Sequence, residues 1–170
     1  LDKNYPNSFG IYSNARHTAT AVGVVSEAGS TAGANSNNDI YGNTISNVNF
    51  GIAFIGSGNV ATMDVGNDIG GASAATANSI SNMGGQAAAS NFVSKAEGWY
   101  AIFINHQKGE NVSFNNIVSG AITGLTAVNV RGIYKAFTAT APTGTFTSSI
   151  NNNTVTLEHA FFQTSTLIGI

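Results

Sequence analysis

The sequence contains no cysteine. Disulfides, a thiol nucleophile and a zinc–thiolate site are thereby excluded, while the compartment stays open, because any of them tolerates a cysteine-free chain. Charge is the next scarcity: Asp, Glu, Lys and Arg make up 8% of the 170 residues, against roughly 25% in an average soluble protein. Only six residues are basic and the formal net charge is −2. These six are scattered, so no basic patch exists for a phosphate backbone and nucleic acid is not an expected partner. No uncharged apolar run approaches ~20 residues, so no membrane span is expected. The opening LDKNYPNSFG lacks both the basic and the apolar parts of a signal peptide. The close, FFQTSTLIGI, ends on a Gly-Ile pair like those that open apolar runs elsewhere, which leads us to expect a piece of a longer chain.

Amides and hydroxyls fill the gap left by charge. Asn accounts for twenty-two positions and Ser for seventeen, so polarity here is carried by neutral hydrogen-bonding groups. Apolar residues make up 42%, enough at this length for one core, and residues 1–170 are read as a single domain.

The asparagines recur in a pattern. In GNTISNVNFGIAF, residues 42–54, an Asn stands two places before an Ile and a Gly-Ile pair opens a second apolar run. Pieces of that text return as ANSISN at 77–82, FNNIVSG at 114–120, RGIYKAF at 131–137 and NNTVTL at 152–157. Alignment on Ile-x-x-Asn-x-Ile sets Ile40, Asn43 and Ile45 over Val112, Asn115 and Ile117, and over Ile150, Asn153 and Val155. A further copy is split, with GGASAATA between Ile69 and the pair Asn78 and Ile80.

Between residues 38 and 66 the text falls into three runs, NDIYGNTIS, FGIAFIG and NVATMDVG. Each is rich in Ile, Val or Phe, is bounded by Gly or Asn, and is too short to sustain a helical period, so each is read as a strand. The second run recurs as FGIYSN at 9–14, WYAIFIN at 99–105, RGIYKAF, and in Gly169-Ile170; TAVGVVS at 20–26 and TGTFTSS at 143–149 are third runs. Short strands without a helix are what one coil of a parallel β-helix requires, each turn stacking on the last at the ~4.8 Å strand spacing. Coils are expected at 1–37, 38–66, 67–109, 110–147 and 148–170. Ile45, Ile80, Ile117 and Val155 would then form an interior ladder. Asn43, Asn78, Asn115 and Asn153 would form a corner column, bonded from coil to coil through their amides and to turn backbone.

Over residues 38–160 this text resembles the right-handed parallel β-helix repeat family. Its GNTISN rhythm followed by GI is similar to that of the very large secreted surface proteins of Bacteroidota exported by the type IX system. The resemblance implies an all-β fold, a right-handed parallel β-helix (solenoid) of about four to five coils with three short strands in each. It also implies an extracellular or cell-surface location, often as an adhesin, and many further coils. The partners it implies are neighbouring coils of a longer chain, glycans and cell-surface proteins.

Loops are where function is grafted on such a scaffold. Three insertions stand out, at 70–77, 83–98 and 121–130. The second is the longest and holds Lys95 and Glu97 beside Trp99. It is read as a loop folded over a neighbouring coil, with an exposed recognition loop as the alternative.

Parallel β-helices also host pectate lyases and polygalacturonases, which use clustered Asp with calcium, or paired carboxylates as acid and base. Asp39 and Asp68 occupy equivalent positions just before Ile40 and Ile69, one coil apart on one face, and Asp64 lies at the end of the strand that precedes Asp68. A turn role is favoured for Asp39 and Asp68, because each follows an Asn and the corresponding positions in later copies are Asn111 and Ser149. DVGNDIGG has a passing likeness to Gly-Asp calcium repeats but stands as a single imperfect copy. No cofactor is therefore expected, with calcium as the alternative and no site assigned to it.

His17, His106 and His159 are dispersed and read as solvated turn residues. No Ser is distinguished as a nucleophile, and GSG at 56–58, followed by Asn59, is a turn rather than a phosphate loop, since no helix follows and no Lys is near in the sequence. Phe9, Phe50 and Tyr100 precede the Gly-Ile-type runs, and Tyr12, Phe54, Phe103 and Tyr134 follow. Inward packing is expected for these rings. Any that pointed outward on stacked coils would make a stripe able to stack on sugar rings.

No catalytic, cofactor-binding or metal-ligating residue is assigned. The function expected is structural and adhesive, a secreted or surface segment presenting loops to a surface, glycan or partner. The alternative is a polysaccharide lyase or glycoside hydrolase, which a calcium-dependent cluster of Asp39, Asp64 and Asp68 would favour.

Overall fold

A computed structural model describes residues 8–14, 31–84, 99–122, 129–136, 145–159 and 166–170. The run at 20–26, His17, Lys95 and Glu97, and the larger parts of the second and third insertions lie outside the described residues.

The chain is all-β, its strands pair in parallel, and equivalent positions of successive repeats lie side by side. The broadest sheet holds, in order, Phe9–Asn14, Phe50–Ile55, Trp99–Asn105, Asn129–Ala136 and Thr166–Ile168. A second sheet runs Asp39–Ile40, Asp68–Ile69, Asn111–Ser113, Ser149–Asn151, and a third Thr44–Ser46, Ser79–Ser81, Asn116–Ile122, Thr154–His159. Asp64–Val65 and Gln107–Lys108 form a short fourth. This arrangement is compatible with a β-solenoid.

The aligned columns inferred from the text are the registers of these sheets. Ile40 lies opposite Ile69, Ile69 opposite Val112, and Val112 opposite Ile150. Ile45, Ile80, Ile117 and Val155 form the second column. Ile80 and Ile117 are fully buried, each contributing ~1.5–3 kcal/mol by leaving water. The split copy keeps its register because GGASAATA bulges out, its Ala74–Thr76 segment forming a single 3-10 turn.

The broad strands read as continuous apolar runs because both faces are covered: every residue of Phe50–Ile55 and of Trp99–Asn105 is buried. Their Gly-Ile openings have a steric cause. A Cβ on Gly51 would lie 2.3 Å from the Ala101 carbonyl oxygen and 2.8 Å from Ile80 Cγ2. Gly10 and Gly132 would meet Ile45 and Val155 at 2.4 and 2.3 Å in the same way. The broad strand crosses the isoleucine column so closely that the repeat needs its smallest residue there.

Two strand readings need correction. NDIYGNTIS is not one strand: it breaks at Gly42, which has φ +63°, into Asp39–Ile40 and Thr44–Ser46. In NVATMDVG only Asp64–Val65 is extended, after a turn at 60–62, and within TGTFTSS residues 145–148 are not strand. The corners also account for four of the asparagines. Asn37, Asn47, Asn82 and Asn152 all have φ between +49° and +57°, a region that Asn tolerates better than other side chains.

Candidate functional site

The corner column is the most regular polar feature. Asn43 Nδ2 donates to Asn78 Oδ1, Asn78 Nδ2 to Asn115 Oδ1, and Asn115 Nδ2 to Asn153 Oδ1, each at 2.9 Å. The sequence separations are 35, 37 and 38 residues. Backbone partners orient the amides. Asn78, Asn115 and Asn153 donate to the carbonyls of Ile40, Ile69 and Val112 at 2.8, 3.0 and 2.8 Å. The backbone N–H of Asn43 and that of Asn115 are accepted by the next Oδ1. Only an oxygen can accept from a backbone N–H, so the column has a fixed direction.

The carboxylate trio that would favour an enzyme divides. Asp39 and Asp68 lie opposite each other in the second sheet, and the Tyr41 hydroxyl sits between them, 2.6 Å from Asp68 Oδ2 and 3.2 Å from Asp39 Oδ1. Asp68 Oδ1 accepts from the Gly71 N–H at 3.0 Å, the local turn bond expected of it, and from Asn111 Nδ2 at 2.8 Å. The hydrogen bond to Asp68, then desolvation and the charges of Asp68 and Asp39, push the Tyr41 phenol well above the ordinary tyrosine range. The polar chain continues through Ser113, whose hydroxyl contacts Asn111 Oδ1 and Asn151 Oδ1.

Asp64 belongs to another network. It is fully buried, and accepts from the Asn35 N–H and from Gln107 Nε2, each at 2.8 Å. Asn67 Nδ2 bridges Gln107 Oε1 and the Asn35 carbonyl, and Asn38 Nδ2 donates to Asn67 Oδ1. A second amide column, Asn38–Asn67–Gln107, thus runs beside the first. The repeated texts NNDI and GNDI carried the signal for its Asn38–Asn67 step, whereas Gln107 stands in register with Asp64 and has no counterpart in that text.

Glu110 is buried and pairs with Lys135, while Ser148 donates to its second oxygen at 2.8 Å. Among the described residues, no group of three or more His, Cys, Asp or Glu is placed to hold a metal ion.

The rings pack into the protein. Phe9 stacks on Phe50 at 5.1 Å, Phe50 on Tyr100 at 6.3 Å and Tyr100 on Tyr134 at 5.1 Å. Phe50, Phe54, Tyr100 and Phe103 are buried, Phe9, Tyr12 and Tyr134 half-buried. Phe54 falls outside the Tyr12–Phe103–Tyr134 column, pairing with Ser13 and Ile104. Arg131 caps the stack, 4.3 Å from the Tyr134 ring, and donates to the Tyr100 hydroxyl at 3.0 Å. Trp99, beside the second insertion, is fully buried and so is not itself a recognition surface.

His106 is not the solvated residue expected: it is buried, with φ +53°, at the corner where the broad strand ends. His159 closes a strand of the third sheet. The GSG turn is local, with Ser57 Oγ accepting from the Asn59 N–H, and the fold brings Lys108 Nζ to the Val60 carbonyl beside it.

These hydrogen bonds are made within the protein, and the Asp39–Tyr41–Asp68 group is among those at its surface. Among the described residues no helix is long and apolar enough to cross a membrane. Comparison with family models, with curated proteins and with solved structures finds no match to this chain.

Proposed function

We propose that the chain is a segment of a right-handed parallel β-helix of about four to five coils, working as a structural and adhesive element. It extends a secreted or cell-surface protein and presents its loops to a surface, glycan or partner protein. The observation that carries this reading is the Asn43–Asn78–Asn115–Asn153 column. An identical bond repeated from copy to copy stiffens a stack and commits side chains to each other rather than to a ligand. The inserted segments are left as the variable, ligand-facing parts.

A second reading, a polysaccharide lyase or glycoside hydrolase, is favoured by one observation: Asp39 and Asp68 stand side by side at the surface and share the Tyr41 hydroxyl. One experiment separates the two. The purified chain is incubated with acidic and neutral polysaccharides, with and without calcium, and both retention on the polysaccharide and release of reducing ends or unsaturated uronides are measured. Retention without product is expected. Product formation abolished by Asp68→Asn would replace the adhesive reading with the enzymatic one.

A further inference from the structure

We propose that the outward face of the third sheet adsorbs to ice. This face belongs to strands rather than loops, so the inference stands or falls apart from the adhesive reading.

The registers bring four short texts, TIS, SIS, NIV and TVT, into line. The middle residues, Ile45, Ile80, Ile117 and Val155, pack on the core, and strand alternation turns the residues on either side of them outward. Thr44, Ser79, Asn116 and Thr154 make one outward row, and Ser46, Ser81, Val118 and Thr156 a second. The three serines are half-buried and the other five side chains are exposed. Neighbours within a row lie ~4.8 Å apart and the two rows ~6.6 Å apart, each within about a tenth of an oxygen repeat on the prism face of hexagonal ice.

A lattice needs strands that neither slip nor twist apart. No register shift interrupts the two rows, since the one between Asn116–Ile122 and Thr154–His159 falls after Val118. Side-chain ladders hold stacked strands flat, and the Asn43–Asn78–Asn115–Asn153 column stands immediately before the first row. The β-branched side chains of the rows have few rotamers to lose when they are held against a surface.

Hydrogen bonding sets this face apart from its neighbours. In the second sheet Asp68, Asn111, Ser113 and Asn151 are bonded to one another. Among the described residues, the side chains of Thr44, Ser79, Ser81, Asn116, Thr154 and Thr156 make no hydrogen bond within the protein. Ser46 accepts only a long one, at 3.5 Å from Asn47 Nδ2. An array of donors and acceptors is thus presented to water at spacings that the strands fix.

The chemistry of the face selects its occupant. The two rows carry no charge, so they offer nothing to an ionic polymer. They carry no aromatic ring either, the rings being stacked within the protein, so a sugar finds no platform to stack on. Ordered water requires neither. Hydroxyl and amide groups bond to its oxygens, and the methyl groups of Thr and Val118 fill the spaces between.

The test uses the chain itself, with polycrystalline ice as the probe. Ice-affinity partitioning and the gap between melting and crystal growth are measured for the parent, for Ser81→Tyr within the face, and for Ala72→Tyr. The last puts the same ring on the exposed turn before Asn78. The parent is expected to concentrate in the ice and to open a growth gap. Ser81→Tyr should lose both effects several-fold at an unchanged thermal melt, Ala72→Tyr should lose neither, and Val118→Thr should widen the gap. If Ser81→Tyr does not fold, Val118→Thr decides, and a gap no wider than the parent's counts against the face. A parent excluded from ice overturns the proposal, as does an equal loss in both tyrosine variants. Retention on crystalline cellulose that Ser81→Tyr weakens, without any effect on ice, also overturns it and makes the face a polysaccharide site. So does a dimer that Ser81→Tyr converts to monomer, the face then being covered by a second copy.

Discussion

Asn78 donates an amide hydrogen to Asn115 across 37 residues of sequence at 2.9 Å, and the two side chains are buried to within 1%. Burial makes the bond costly to lose, because a stranded donor or acceptor forfeits its full desolvation penalty. Replacing Asn115 with Leu would remove the Asn115 amide from Asn78 Nδ2, from the Ile69 carbonyl and from Asn153 Oδ1 together, leaving Asn153 Oδ1 only the backbone N–H of residue 115 and Asn78 Nδ2 only the Ile40 carbonyl. The expected loss is ~2–4 kcal/mol, from a penalty of ~1–3 kcal/mol per group with partial relaxation. Asn43→Leu, at the end of the column, should cost less than half as much. Chemical denaturation of both variants decides it, and equal losses would mean that the column does not work as one unit.

Two glycines should fail for different reasons. Gly51→Ala places a Cβ 2.3 Å from a backbone oxygen, an overpacking expected to cost ~1–3 kcal/mol. Gly42→Ala meets nothing within 4 Å but holds φ +63°, for which ~1–2 kcal/mol is expected. Gly42→Asn should recover most of that loss, since Asn occupies this conformation at Asn47 and Asn82, whereas Gly51→Asn should not fold as stably as Gly51→Ala. Thermal melts of the four variants test the distinction.

Tyr41 should ionise above the ordinary tyrosine range, because the hydrogen bond to Asp68 and the two carboxylates beside it oppose the phenolate. A pKa raised in the folded state stabilises the protonated form. The contribution is therefore complete below the unfolded tyrosine pKa and is lost as pH rises through the folded one. In an ultraviolet titration, the difference between the parent protein and Tyr41→Phe should appear at higher pH than for a free tyrosine. Asp68→Asn should move it back down; an unmoved titration would show that Asp68 is not the cause.

Lys135, on the broad sheet, pairs with Glu110, one residue before the second sheet's Asn111–Ser113. Glu110 is 1% exposed, so Lys135→Met leaves a buried carboxylate with Ser148 as a remaining donor. A loss of ~1–3 kcal/mol is expected, below the ~3–5 kcal/mol of a fully buried pair because the lysine side chain keeps some solvent contact. Adding Glu110→Gln should restore part of that loss. If the double variant is no more stable than the single one, the penalty does not come from the stranded charge.

The sequence by itself determined which residues lie side by side. A repeat whose copies carry Ile, Asn and Ile at one spacing can bury its apolar positions only by stacking them, so Ile45, Ile80, Ile117 and Val155 were legible as a column, and so was Asn43 with its three counterparts. Even the eight-residue insertion before Asn78 did not hide the register, because an outward loop leaves the ladder intact.

Only the tertiary structure decided how positions outside one column meet. Tyr41 joins Asp39 and Asp68 because it follows the Asp39–Ile40 strand directly and the neighbouring repeat brings the second carboxylate beside the first. Asp64 was drawn away from that pair by Asn35 and Gln107, and His106 was carried inside by a corner whose path no local pattern specifies. Stacking is dictated by hydrophobic spacing along the chain. Lateral contacts depend on corner angles and on how closely one strand crosses another, quantities that exist only once the chain has folded.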